Sequence, residues 1–307
     1  MTITVAAALP TLQGSTVVVP PPERRPGAWS GAPSAIVDGE LIYLAYRLRR
    51  PIGAGRGYAN VVSVSRDGGA SFTPIAMVNR DAFKGESLER PALTRTADGI
   101  WRLYVSVATP SSKHWRVDLI EAEDPADLAR ATPRTVLPGD DSIGVKDPVV
   151  VWAGDRWHLW ASVHPLESWE NADRMTTDYA TSRDGVDWEW HGTVLRGRPG
   201  AWDARGVRVS HVSVVDGEHL IATYDGRATA AENWEEATGV AYGRLESTGR
   251  FGELEAMDGE PLRSPYAAGG LRYVSAVTLD GGANRVFYEF TRPDGAHELR
   301  TELLPAP

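Results

Sequence analysis

Two acidic residues stand directly ahead of β-prone apolar runs. Asp147 opens "DPVVVWAGDRWHLWAS" (147–162), and Glu89 precedes "RPALTRTADGIWRLYVS" (90–106). An acid at the mouth of a strand that reads as buried adds little to packing. Two such carboxylates brought together can carry proton transfer. Other stretches put cations and an imidazole at the same kind of place: Arg90, then Arg208 with His211, then Arg272. Guanidinium groups from separate stretches can clamp an anionic group through bidentate hydrogen bonds. Two polar connections, "HPLESWENADRMTTDYATS" (164–182) and "TYDGRATAAENWEEATG" (223–239), add Glu167, Asp178, Trp169, Asp225 and Arg227 as candidate pocket wall.

The elements that must position these residues repeat along the chain. "APSAIVDGELIYLAY" (32–46), 90–106, 147–162, "SHVSVVDGEHLIATY" (210–224) and "RYVSAVTLDGGANRVFYEF" (272–290) each read as a β-hairpin around a Gly-containing turn. The anchors Pro33, Pro91, Pro148, His211 and Tyr273 lie 58, 57, 63 and 62 residues apart. A second hairpin follows the first in four units, at 61–72, 117–128, 179–190 and 239–251. Four strands in a period near 60, with no amphipathic helix of 12 residues, predict an all-β, five-bladed β-propeller of four-stranded antiparallel blades. The last blade is one strand short, and "STVVV" (15–19) is placed to complete it and remove an open edge. First strands line a propeller's channel, so Glu89, Arg90, Asp147, Arg208, His211 and Arg272 are expected around one funnel.

Bulk properties bound the function. The 307 residues are read as one domain, 1–307, with 42% hydrophobic and 24% charged content suited to a globular core. A net charge of −9 without any Lys/Arg run argues against nucleic-acid and anionic-membrane partners. No cysteine is present, which excludes disulfides, thiolate metal sites and a cysteine nucleophile. The histidines show no metal-binding spacing, and neither a metal nor a cofactor is expected. "MTITVAAALP" lacks a signal peptide's basic start and apolar length, so a cytoplasmic protein is expected.

The plan of Asp-Pro, apolar run, Asp-Gly and aromatic run resembles the five-bladed glycoside hydrolases of families 43, 32, 62, 117 and 130. "SRDGVDWEW" (182–190) is similar to a hairpin common in them, and "SRDGGASF" (65–72) resembles the Asp-box of sialidases, a structural turn. The resemblance implies a carbohydrate ligand and two carboxylates at the scissile bond, one donating a proton and one serving as nucleophile or base. It implies Asp147 as the acid-tuning Asp of a middle blade. The chain departs from the family 43 pattern at Ala32, where an Asp base is expected, and at "RVSH" (208–211), which carries no Glu. Glu89, Glu167 and Asp178 are therefore the candidate partners of Asp147. Arg90, Arg208, His211, Arg272, Asp225 and Trp169 are the candidate substrate contacts. Eleven tryptophans, with Trp115, Trp169, Trp202 and Trp234 in connections, suit stacking on sugar rings or capping between blades. Three functions follow: a glycosidase or glycoside phosphorylase, a sialidase-like enzyme gripping an acidic sugar with its arginines, and a non-catalytic sugar-binding propeller.

Overall fold

A computed structural model describes residues 8–306 apart from Trp169. Blade I is β2 (Trp29–Asp38), β3 (Leu41–Arg49), β4 (Gly57–Ser65) and β5 (Thr73–Asn79). Blade II is β6 (Leu88–Arg95), β7 (Trp101–Ala108), β8 (Trp115–Ala122) and β9 (Arg134–Leu137). Blade III is β10 (Ile143–Ala153), β11 (Arg156–Pro165), β12 (Thr176–Ser182) and β13 (Glu189–Leu195). Blade IV is β14 (Gly206–Val215), β15 (His219–Arg227), β16 (Ala237–Arg244) and β17 (Glu255–Ala256). Blade V is β18 (Leu271–Thr278), β19 (Asn284–Thr291) and β20 (His297–Leu304), completed by β1 (Thr16–Val19). Each first strand packs beside the next, from β2 through β6, β10, β14 and β18 back to β2, and the ring closes. The molecule is a five-bladed β-propeller.

The closing strand is the one read from sequence. β1 pairs antiparallel with β20, Thr16 opposite Thr301 and Val17 opposite Arg300, so β20 is not left as an open edge. Apolar layers between neighbouring blades form the core. Trp160, Tyr179, Val209, Tyr224 and Phe251 fill the space between blades III and IV, and Leu93, Leu103, Val62 and Phe83 that between I and II. Outer strands depart from expectation in two blades. Residues Pro125–Arg130 form a 3-10 turn capped by Asp124, and the outer strand of blade II comes later, at β9. In blade IV the outer strand is β17, beyond the expected 239–251 hairpin. Edge strands carry little apolar signal, so their register depends on tertiary pairing rather than local pattern.

The Asp-box hairpins are structural, as read. Asp67 accepts hydrogen bonds from Ala70 N–H, Ser71 N–H and the Ser65 hydroxyl, and Asp184 repeats the scheme with Val186, Asp187 and Ser182. One further feature positions the site. All five first strands bulge where they cross the ring, between Gly31 and Ser34, Leu88 and Pro91, Lys146 and Val149, Val209 and His211, and Arg272 and Ser275. Ala32, Asp147 and Tyr273 occupy the same bulge position, with φ of 52°, 54° and 55°. Left-handed backbone at a non-glycine residue costs energy and persists where the surroundings impose it.

Candidate functional site

The bulges divide the central channel into an upper funnel and a lower mouth. The funnel is a cavity of about 310 Å3 lined by Glu89, Lys146, Arg208, Glu236, Arg272 and Tyr273 near its floor. Arg47, His164, Arg227 and Asp173 also line it, with Trp29, Trp115 and Trp234. Asp147 lies directly beneath and is fully buried. Its Oδ2 meets the Tyr273 hydroxyl at 3.3 Å, Lys146 Nζ at 3.5 Å and Arg208 Nη1 at 3.6 Å, while Oδ1 has no partner. Its backbone N–H donates to the Ser106 hydroxyl, which in turn donates to the Arg90 carbonyl and ties blades II and III together.

A chain of ion pairs circles the funnel. Arg47 grips Glu89 and, at 2.6 Å, Glu289. Arg272 pairs with Glu289 at 2.7 Å and with Glu236. Glu236 also takes Arg227 at 2.6 Å and Arg208 at 3.2 Å, so three guanidinium groups converge on one carboxylate. Asp225 accepts from Arg208 Nε and from the Tyr273 N–H at 3.0 Å, and so holds the left-handed Tyr273 backbone in place. Buried charges survive only when paired and hydrogen-bonded, and this chain meets that demand for every carboxylate in it.

The electrostatics follow from the pairing. Burial alone would push Asp147 up, but Lys146, Arg208, His164 and Arg90 outweigh it and hold Asp147 at about 2. Glu89 is likewise pulled below its ordinary value, Arg47 and Lys146 overcoming burial. Glu236 lies well below, held by Arg208, Arg272 and Arg227 against burial. Asp225 is the exception, raised by burial to about 6. Burial lowers Lys146 and drives His164 down to about 3, so that imidazole is neutral.

The expected site residues divide. Glu89, Arg208 and Arg272 line the funnel above Asp147, and Asp225 braces it from outside the cavity. Arg90 and His211 lie on the other side of the floor, lining the lower mouth. The reason is a one-residue offset. Arg90, not Pro91, occupies the bulge position of Pro33 and Pro148, while His211 follows its bulge as Ser34 and Ser275 do. Neighbouring strand positions face opposite ways. Of the three arginines, Arg208 and Arg272 pair with carboxylates, but Arg90 donates to the Ser210 carbonyl. Glu167 is exposed and absent from the cavity wall. Asp178 sits on the third strand of blade III, where it accepts from the Thr176 hydroxyl. Trp169 lies outside the described residues. Trp115 and Trp234 reach the funnel, whereas Trp202 stacks on Tyr224.

Sequence reasoning missed Glu236, Arg47 and Trp29 as pocket residues. Only "WEE" (234–236), at the end of the polar blade IV connection, carried a signal for Glu236.

Comparison with known proteins adds the fold. No family model matches the chain, and no curated protein matches its sequence. Solved structures match over nearly the whole length at low identity. A glycosyl hydrolase from Bacteroides ovatus superposes with a TM-score of 0.65 at 13% identity, covering 97% of this chain and 95% of that one. The β-1,2-mannobiose phosphorylase of Listeria innocua, in complex with β-1,2-mannobiose, gives 0.63 at 13%, with 96% and 92% covered. An α-L-arabinofuranosidase from Podospora anserina in complex with cellotriose gives 0.65 at 12%, with 95% of each chain covered. The architecture is that of the five-bladed propeller glycoside hydrolases.

Proposed function

We propose that the upper funnel cleaves a glycosidic bond of a small glycan or glycoside, by hydrolysis or phosphorolysis. The observation that carries this reading is the floor constellation of Asp147, Glu89, Tyr273 and Lys146. It lies in the channel of a propeller whose structural neighbours include a glycosyl hydrolase and a glycoside phosphorylase. Asp147 and Glu89 are ionised at neutral pH, and fixed negative charge of this kind stabilises an oxocarbenium-like transition state. Neither can then be the proton donor. Glu167 and Asp178, the loop acids expected in that role, stand outside the cavity. The Tyr273 hydroxyl and the Lys146 ammonium do carry a proton there. Burial makes the Tyr273 phenol a weaker acid and Lys146 a stronger one, so proton donation to the leaving oxygen falls to Lys146.

Among the cavity residues, Arg47, Arg56, Lys113, Lys146, Arg208, Arg227 and Arg272 outnumber Glu89, Glu170, Asp173 and Glu236, but Glu289, Asp147, Asp225 and Glu86 pair with those cations from outside the wall and offset the difference. The lining charge therefore selects neither phosphate as co-substrate nor an acidic group on the sugar by itself. The acidic-sugar reading has to displace Glu236, which already fills the convergence of Arg208, Arg227 and Arg272. Aryl glycosides with and without phosphate, offered to wild type and Asp147→Asn, test the function. Release of the aryl group by wild type and its loss in the variant are expected. Sugar binding without cleavage across a broad panel would overturn catalysis in favour of a binding module.

A further inference from the structure

The lower mouth is a second cavity of about 310 Å3, lined by Arg90, Thr94, Ser34, Ser275, His211, Trp152 and others at the far ends of the first strands. Its polar groups are short of acceptors. Arg90 is 3% exposed, and its Nε and Nη1 have no partner. The Thr94 Oγ1 is buried without a partner. Ser34 accepts the Leu93 N–H and Ser275 accepts the Ala35 N–H. Each serine therefore keeps a hydroxyl proton free to donate. Buried donors left without acceptors are costly, and so many at one cavity call for something to receive them. Among the described residues, no carboxylate lines this cavity.

We propose that the lower mouth is a binding site for a small oxyanion, held by Arg90 with the hydroxyls of Thr94, Ser34 and Ser275. An acceptor-only ligand matches a cradle of donors, and a guanidinium with two free nitrogens selects phosphate, sulfate or carboxylate over a neutral molecule. The site is separate from the funnel: the two cavities have no lining residue in common.

Calorimetric titration of the whole chain with inorganic phosphate, and separately with acetate, at constant ionic strength tests this. Saturable binding of at least one is expected, and the pair distinguishes a phosphate-like from a carboxylate ligand. Thr94→Val removes an unpartnered hydroxyl at little risk to folding, and Ser275→Ala, which also frees the Ala35 N–H, is read alongside a thermal-unfolding check that the variant is folded. Each should weaken binding about tenfold, as loss of a hydrogen bond to a charged group does. Arg90→Met should abolish it, and Lys146→Met, in the funnel, should leave it intact. Absence of saturable binding overturns the proposal. So does binding that Lys146→Met removes while Thr94→Val and Ser275→Ala leave it unchanged, because the anion would then sit in the funnel.

Discussion

The two ends of the channel are built from the same five strands and solve opposite problems. Above the bulges, both signs of charge are buried and every carboxylate of the ring has a guanidinium, ammonium or imidazole partner. Below them stand one guanidinium with free nitrogens, hydroxyls with protons to spare, and a histidine pushed down to about 4 by burial and Arg90. The upper end is electrostatically closed, and rearranging it means breaking pairs. The lower end is open to an acceptor. The difference arises from one step along a strand, since Glu89 and Arg90 are adjacent yet serve different mouths.

The largest expected effect breaks the closed end. Glu236→Gln leaves Arg208, Arg227 and Arg272 converging on a neutral amide. Removing one partner from a buried ion network costs about 3–5 kcal/mol, a loss that denaturant unfolding would register. Thr94→Val at the open end removes an unpartnered buried hydroxyl and should be neutral or slightly stabilising in anion-free buffer. Similar losses from both would erase the distinction between the mouths.

Asp147 comes next. Its left-handed backbone suits Asn far better than Ala, so Asp147→Asn should fold and lose turnover, whereas Asp147→Ala should lose about 1 kcal/mol more stability. Thermal unfolding alongside aryl-glycoside turnover separates the two. Full turnover by Asp147→Asn would remove this carboxylate from the mechanism.

A third effect is pH-dependent and involves both mouths. His164 faces the funnel and His211 the lower mouth, and burial first of all lowers both, to about 3 and about 4. Unfolding lets each return to about 6.5. The unfolded chain then binds more protons, so this stability is present above pH 6.5 and is lost as pH falls towards 4. Asp225 works in the opposite sense: raised to about 6, it favours the folded state at low pH and loses that contribution as pH rises through 6. With two histidines against one carboxylate, the unfolding midpoint should drop between pH 6.5 and 4. His164→Asn should flatten that drop. An unchanged slope would show that His164 titrates normally in the folded protein.

How much of this was legible in the chain depends on which strand carries each residue. The period near 60 and the closing "STVVV" were visible because every blade must repeat the same apolar layers. Asp147 and Glu89 were visible because they share an offset from the repeat. Arg90 and His211 shared nearly the same offset, and only the bulge register separates them from the funnel. Glu236 and Arg47 come from connections and second strands, where no repeat offset points inward. Pairing across blades, which brings Arg47 to Glu289 over 242 positions, leaves no local trace.

The smallest effect concerns the funnel's rim. Trp234 is 39% exposed; one side meets Arg49, whose Cζ lies 4.8 Å from the ring, and its edge meets Trp29. Trp29 is itself enclosed, stacked on His297 with Arg49 at 3.8 Å, and offers no face to a ligand. Among the described aromatics of the wall, Trp115 already meets Lys146 Nζ at 4.6 Å from its ring, so Trp234 is the one best placed to stack on a sugar ring at the mouth. Trp234→Ala keeps the left-handed backbone no worse strained, φ being 81° in the native residue. It removes stacking of about 0.5–1.5 kcal/mol, which is a few-fold to about tenfold rise in KM. Because the rim lies away from the floor, kcat should hold. A fall in kcat with KM unchanged would mean that Trp234 acts through Arg49 and the ion network rather than on the ligand, and the rim would then belong with the closed charge ring.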